Sequence, residues 1–126
     1  MSRATTAYAS AYQPDRVHVA AFRRRQKATI TADFTAVVPE GVTIEAATWR
    51  TTAPWPLVMA DAAIDGAKTR VMADFQQAGC SGLKATVTLS DGSIHNQVFA
   101  FEVVDCPFFG EPVAPAQGPQ DLTVTA

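Results

Sequence analysis

The stretch that decides the fold is LKATVTLSDGSIHNQVFAFEVV, residues 83–104. Its two halves are separated by Ser90-Asp91-Gly92, which is a hairpin signal. Before the turn, apolar residues occupy every second position at Leu83, Ala85, Val87 and Leu89. After it, Phe99, Phe101 and Val103 lie on one face of the second strand. Alternation with a period of two is the pattern of a strand that buries one face. The stretch therefore predicts two antiparallel strands joined by a tight turn.

The length of that turn determines which side chains share a face. A two-residue Asp-Gly loop pairs odd positions with even ones and separates Phe99 from Leu83. A three-residue loop over 90–92, with Gly92 in the left-handed conformation of a G1 bulge, pairs odd with odd. Only the second register keeps the large apolar residues together, so we predict the three-residue loop.

Five further segments are predicted to be strands. Four of them alternate in the same way, and the fifth, 17–22, precedes them in the chain. The segment 57–64 has the weakest pattern, because its alanines also suit a helix. The segments are 17–22, 28–34, 42–46, 57–64 and 67–76. Six or seven short strands with frequent turns predict an all-β fold, an antiparallel immunoglobulin-like β-sandwich in which 17–22 adds an edge strand.

Trp49 tests the alternation, because it lies three residues beyond Ala46 and so falls on the opposite parity. A β-bulge near Ala47 returns its indole to the core. The segment 52–56 contains two prolines and is predicted to be a loop. The predicted interior is Ile30, Phe34, Ile44, Trp49, Phe75, Val87, Phe99 and Phe101.

Charge and proline content divide the chain into three parts. Residues 1–27 carry six basic residues and one acidic residue, whereas the remainder carries four basic and eleven acidic residues. Four prolines fall between 107 and 119. We predict an extended basic N-terminal arm over 1–25, the immunoglobulin-like β-sandwich over 26–105 and a proline-rich extended C-terminal tail over 106–126.

The sequence lacks the common motifs of catalytic and nucleotide-binding sites. No G-x-S-x-G, H-E-x-x-H, G-x-x-x-x-G-K or G-x-G-x-x-G occurs, so we expect neither an enzyme nor a bound cofactor. Cys80, Cys106, His18 and His95 lack metal-ligand spacing, and we expect two free thiols and no metal. A net charge of −2 argues against nucleic acid, and no apolar run is long enough for a membrane helix.

The two flanks hold the candidate partner-binding residues. Aromatic and arginine side chains are enriched where proteins bind one another. The candidates are Tyr8, Tyr12, Arg23, Arg24, Arg25, Phe108 and Phe109. The plainer alternatives are a solvated basic strand end and a phenylalanine that caps the sandwich. The period-two segment 122–125 is also able to add to an exposed sheet edge.

The residues 28–104 resemble small immunoglobulin-like accessory proteins of tailed bacteriophage virions. The resemblance rests on Thr43-Ile44-Glu45-Ala46-Ala47-Thr48-Trp49, which fits the family's Thr-Ile-x-x-Ala-x-Trp strand, and on the Ser90-Asp91-Gly92 hairpin. The turn Ala78-Gly79-Cys80-Ser81-Gly82 has less glycine than the family often shows. Both flanks lie outside the match.

The resemblance implies a structural role in the virion. We expect a capsid decoration or cement protein, made in the bacterial host cytoplasm, that binds the major capsid protein on the capsid exterior through its arms and contacts neighbouring copies of itself. The alternative is an adhesive module of the tail or head-tail region that binds a host surface glycan or receptor. That alternative predicts exposed aromatic residues in a groove, with Trp55 as the best candidate.

Overall fold

A computed structural model describes residues 3–10, 12, 16–23, 25–52, 57–75, 79–104 and 120–126. These residues form nine strands and no helix, so none of the described segments is a helix that could cross a membrane. The first strands are β1 (Arg3–Tyr8), β2 (Val17–Arg23), β3 (Lys27–Asp33) and β4 (Ile44–Thr52). The others are β5 (Leu57–Asp65), β6 (Lys68–Phe75), β7 (Gly79–Leu89), β8 (Ile94–Val104) and β9 (Asp121–Thr125).

The strands form two sheets. The four-stranded sheet has the order β1-β3-β6-β5, and the five-stranded sheet has the order β2-β8-β7-β4-β9. Two pairings, β1 with β3 and β2 with β8, are parallel, and the other pairings are antiparallel. The all-β prediction is confirmed, but the sheets are mixed rather than purely antiparallel.

A single apolar core lies between the inner faces of the two sheets. All eight residues predicted to be interior are buried there, each with no more than 2% of its surface exposed. The Trp49 indole Nε1 donates to Thr69 Oγ1 at 3.0 Å, and that hydroxyl donates to the Ala63 carbonyl at 2.9 Å. This chain of hydrogen bonds satisfies the buried Trp49 N–H and Thr69 hydroxyl, and it joins β4 of one sheet to β5 and β6 of the other.

The central hairpin has the predicted register. Leu83 lies opposite Phe99 and Cys80 lies opposite Glu102. Gly92 adopts a φ of 88°, and its N–H donates to the Leu89 carbonyl at 3.0 Å. The predicted bulge in β4 is also present, as a register shift between Ile44 and Ala46. The bulge restores Trp49 to the buried face.

Most of the described residues of both flanks lie in sheet strands. The edge strand predicted over 17–22 is confirmed as β2, whereas β1 and β9 are strands in segments that the sequence predicted to be extended arms. The segment 1–25 contains β1 and β2, and the tail 106–126 ends in β9, which pairs with β4. The short side chains of β1 gave little alternation, yet Ala7 is buried and backbone hydrogen bonds to β3 complete the pairing. An edge strand needs only a few inward apolar residues, since its neighbour supplies the ladder.

Candidate interaction surface

The predicted partner-binding residues lie at separate places in the fold. Tyr8 ends β1 with 61% of its surface exposed, and Tyr12 is 96% exposed. Arg23 ends β2, and Arg25 follows it in a turn with a φ of 67°. The predictions for Arg24, Phe108, Phe109, Trp55 and Cys106 lie outside the described residues.

The tyrosines and the arginines lie at opposite ends of β2. Arg16, which immediately precedes β2, donates to the Tyr8 carbonyl at 3.2 Å. At the other end, the Arg25 N–H donates to the Phe75 carbonyl. A seven-residue strand spans roughly 20 Å between its first and last residues. The described candidates therefore do not form one continuous site.

Apolar side chains lie next to one another on the outer face of the five-stranded sheet, along β2 and β8. Phe22 points into the core, so the odd-numbered residues of β2 point outward. Val19 is 71% exposed and Val17 is 46% exposed. Their partners on β8 are Ala100 and Val98. We call these four residues the valine strip.

The sequence did not reveal this strip. Alternation over 17–22 favours Val17 and Val19 as buried residues and His18 as an exposed one, whereas the structure buries Phe22 and turns both valines outward. The sequence also did not contain the neighbour of β2. Only the parallel pairing with β8 places Val98 and Ala100 next to the exposed valines. Singly exposed valines are common on protein surfaces, whereas adjacent apolar side chains make this strip a candidate contact surface.

Polar residues dominate the outer face on β4 and β9, whereas β8 also exposes the apolar side chains of Ile94 and Val104. Arg50 on β4 pairs with Asp121 on β9, with 2.8 Å between Nε and Oδ1. The Thr48 and Thr123 hydroxyls are 3.1 Å apart, which also links β4 with β9. Lys84 lies between Arg50 and Val98 in the register. The valine strip is thus bordered on one side by charged and hydroxyl groups, as at the rim of a protein interface.

The titratable groups with shifted pKa values have structural causes. Burial, together with the charge of Arg16, lowers the pKa of His18, whose Nε2 lies 2.7 Å from Thr5 Oγ1. Hydrogen bonds from Ser93 lower the pKa of Asp91 in the hairpin turn. Within the described segments, no three or more His, Cys, Asp or Glu residues are grouped so that they could hold a metal ion. Cys80 is exposed and free.

No known sequence family and no curated protein matches this chain. Among solved structures, it is similar to a cysteine protease inhibitor from Entamoeba histolytica at 7% identity and a TM-score of 0.43, over 80% of this chain and 97% of the other. It is also similar to amebosin at 9% identity and a TM-score of 0.38, over 82% of this chain and 99% of the other. Likenesses this distant carry no argument about function.

Proposed function

We propose that this chain is a non-enzymatic, immunoglobulin-like structural protein of a bacteriophage virion. In this role it decorates the exterior of the capsid and stabilises the shell by binding the major capsid protein. The valine strip is the observation that carries the proposal, because it gives the protein a flat apolar surface with a polar border. The resemblance of residues 28–104 to phage accessory proteins supplies the kind of partner.

The strand order supports the immunoglobulin-like part of the proposal. In immunoglobulin domains one sheet contains strands B, E and D as neighbours, and the other contains G, F and C. The orders β3-β6-β5 and β8-β7-β4 match those two series. Trp49 on β4 then corresponds to the buried tryptophan of strand C.

The location of the valine strip suits attachment to a shell. Side chains on the outer face of a sheet form a broad, nearly flat surface, which matches another folded surface better than it encloses a small ligand. Association then relies on buried area, with the apolar centre desolvated and the charged border kept wet. Tyr12, Arg23 and Arg25, near the two ends of β2, extend the contact toward neighbouring copies or subunits.

The experiment compares two lysine substitutions on the same outer face. Val19→Lys places a charge in the strip, whereas Thr123→Lys places one at the far edge of the same sheet. Phage particles lacking the protein are incubated with each variant, and occupancy is measured by co-sedimentation and electron cryomicroscopy. We expect Val19→Lys to reduce binding at least tenfold, while Thr123→Lys binds like the wild type.

Three results oppose the proposal in different ways. Wild-type protein that does not bind the particles at all contradicts the decoration role. Binding that Val19→Lys and Thr123→Lys affect equally contradicts the strip as the contact surface. Binding to host cells instead of capsids favours the adhesive module.

A further inference from the structure

A second candidate site lies on the outer face of the four-stranded sheet, on the side of the fold away from the valine strip. It is a cleft of about 220 Å³ where β1, β3 and β6 run side by side next to the β5–β6 turn. This volume is below the roughly 300–1,000 Å³ of pockets for drug-sized ligands, and it suits a single sugar-sized unit. Its side chains come from Thr6, Tyr8, Thr31, Asp65, Lys68 and Arg70.

The strand register arranges these side chains in two parallel rows. One row runs across the sheet through Thr6, Thr31 and Arg70, and the neighbouring row begins with Tyr8 and continues to Lys68. Alternation places all five on the outer face, because Ala7, Ile30, Thr69 and Val71 are buried beneath them. The cleft thus combines an aromatic ring, two hydroxyl groups and two cations within neighbouring positions.

The two cations have different electrostatic surroundings. Lys68 lies between two acidic residues in the register, Asp33 on β3 and Asp65 on β5. Arg70 lies between Thr31 and Ala63, so its cross-strand neighbours carry no charge. No hydrogen bond or ion pair joins its exposed guanidinium to any of the residues that the structure describes. Arg70 is therefore the cation in the cleft whose cross-strand neighbours do not compete with an external anion.

The remaining groups favour a ring that carries hydroxyl groups. Tyr8 presents an exposed aromatic ring at one side of the cleft, which offers an apolar face to a ligand. Thr6 and Thr31 hydroxyls each donate and accept, and Asp65 accepts. A guanidinium binds a carboxylate through two parallel hydrogen bonds, which fixes the orientation of the ligand as well as its charge.

We propose that this cleft binds one unit of an acidic saccharide, with the sugar carboxylate on Arg70 and the ring against Tyr8. Hydroxyl groups of the sugar then bond to Thr6, Thr31 and Asp65. The inference goes beyond the decoration role, since this face points away from the valine strip and stays accessible when that strip is covered.

The test uses the purified full-length protein and three probes: glucuronic acid, glucose and acetate. Glucose keeps the sugar ring without the carboxylate, and acetate keeps the carboxylate without the ring. Titration calorimetry and amide chemical shifts report binding and its location. We expect millimolar binding of glucuronic acid, at least about tenfold tighter than that of glucose or acetate, with shift changes at Thr31 and Arg70.

Variants test the contributions of Arg70 and Tyr8 separately. Arg70→Gln is expected to lower the affinity for glucuronic acid to that for glucose, and to leave glucose binding unchanged. Tyr8→Ala is expected to weaken both sugars by a similar factor. Arg50→Gln, which removes an exposed arginine from the opposite outer face, is the matched control and should bind all three probes like the wild type.

Several outcomes overturn the proposal. No binding of glucuronic acid at about 20 mM excludes a useful site. Equal affinity for glucuronic acid and glucose contradicts the binding of the sugar carboxylate by Arg70. Equal affinity for glucuronic acid and acetate means that the cleft binds anions without recognising the sugar ring. Shift changes confined to the opposite sheet place the ligand elsewhere. None of these measurements involves a capsid, so their results neither support nor contradict the proposed decoration of the capsid.

Discussion

The two sides of the fold, where an edge strand of one sheet approaches an edge strand of the other, are closed by different kinds of interaction. On one side, which we call the Gln120 corner, the Gln120 side chain accepts from the Met59 N–H at 2.9 Å and donates to the Met59 carbonyl at 3.1 Å. Its backbone meanwhile bonds to Thr51 on β4. One residue therefore binds both sheets through directional hydrogen bonds.

On the other side, which we call the Phe22 corner, closure relies on apolar packing. The Phe22 ring on β2 stacks on Phe75 of the other sheet, with 4.6 Å between centroids, and meets Phe101 edge-on at 5.6 Å. The Thr5 and His18 side chains share a hydrogen bond between β1 and β2, and Arg16, just before β2, donates to the Tyr8 carbonyl at the end of β1. The comparison indicates that a sheet edge can be closed by polar bonds of fixed geometry or by aromatic burial, and that the second contributes more free energy.

The largest expected effect comes from breaking the Phe22 corner. Phe22→Ala removes a buried ring that contacts both sheets, and we expect a loss of about 3 to 5 kcal/mol in the free energy of unfolding. Urea denaturation followed by tryptophan fluorescence measures it. Val19→Ala, on the outward face of the same strand, is the control and should change stability far less. A loss below about 1 kcal/mol for Phe22→Ala contradicts the importance of this corner.

A smaller effect is expected at the Gln120 corner. Gln120→Ala leaves the half-buried N–H and carbonyl of Met59 without these partners, and we expect a loss of about 1 to 3 kcal/mol. Hydrogen exchange of the Met59 amide should accelerate more than that of amides near Phe22. Gln120→Glu keeps an acceptor for the Met59 N–H but loses the amide donor, so its stability should fall between the wild type and Gln120→Ala.

The Phe22 corner should also respond to pH, with a smaller effect. Burial and Arg16 lower the pKa of His18 below its ordinary value of 6.5, so the folded state binds the proton less readily than the unfolded chain. This contribution to stability is present above pH 6.5 and is lost as the pH falls through the folded-state pKa. His18→Gln should therefore reduce the loss of stability on acidification, compared with the wild type and with His95→Gln. If the free energy of unfolding changes with pH in the same way in all three proteins, His18 does not have this role.

The smallest effect is expected for the ion pair between Arg50 and Asp121. Both side chains are more than half exposed, and such pairs contribute little to stability because water and salt screen them. Arg50→Ala should leave the melting temperature nearly unchanged, at low and high salt alike. If the melting temperature of Arg50→Ala falls clearly at low salt but not at high salt, the pairing of β9 with β4 depends on this ion pair.

The sequence alone determined the central part of the fold. The large apolar residues on both sides of Ser90-Asp91-Gly92 allowed one register that keeps Leu83 and Phe99 on the same face, and the structure has that register. The position of Trp49 required a bulge, and one is present in β4. These features were predictable because each rests on residues close in sequence, for which the two-residue repeat of a strand leaves few alternatives.

The tertiary structure decided everything that depends on which strands are neighbours. The basic charge of residues 1–27 and the prolines before β9 suggested arms, but pairing with β3 and β4 depends on backbone groups that every residue carries, so side-chain type does not reveal it. The same holds for both candidate sites. Val19 meets Ala100, and Tyr8 and Arg70 meet in one cleft, because strands distant in sequence lie side by side. Alternation assigns a residue to a face, but only the sheet order determines which residues share its surroundings.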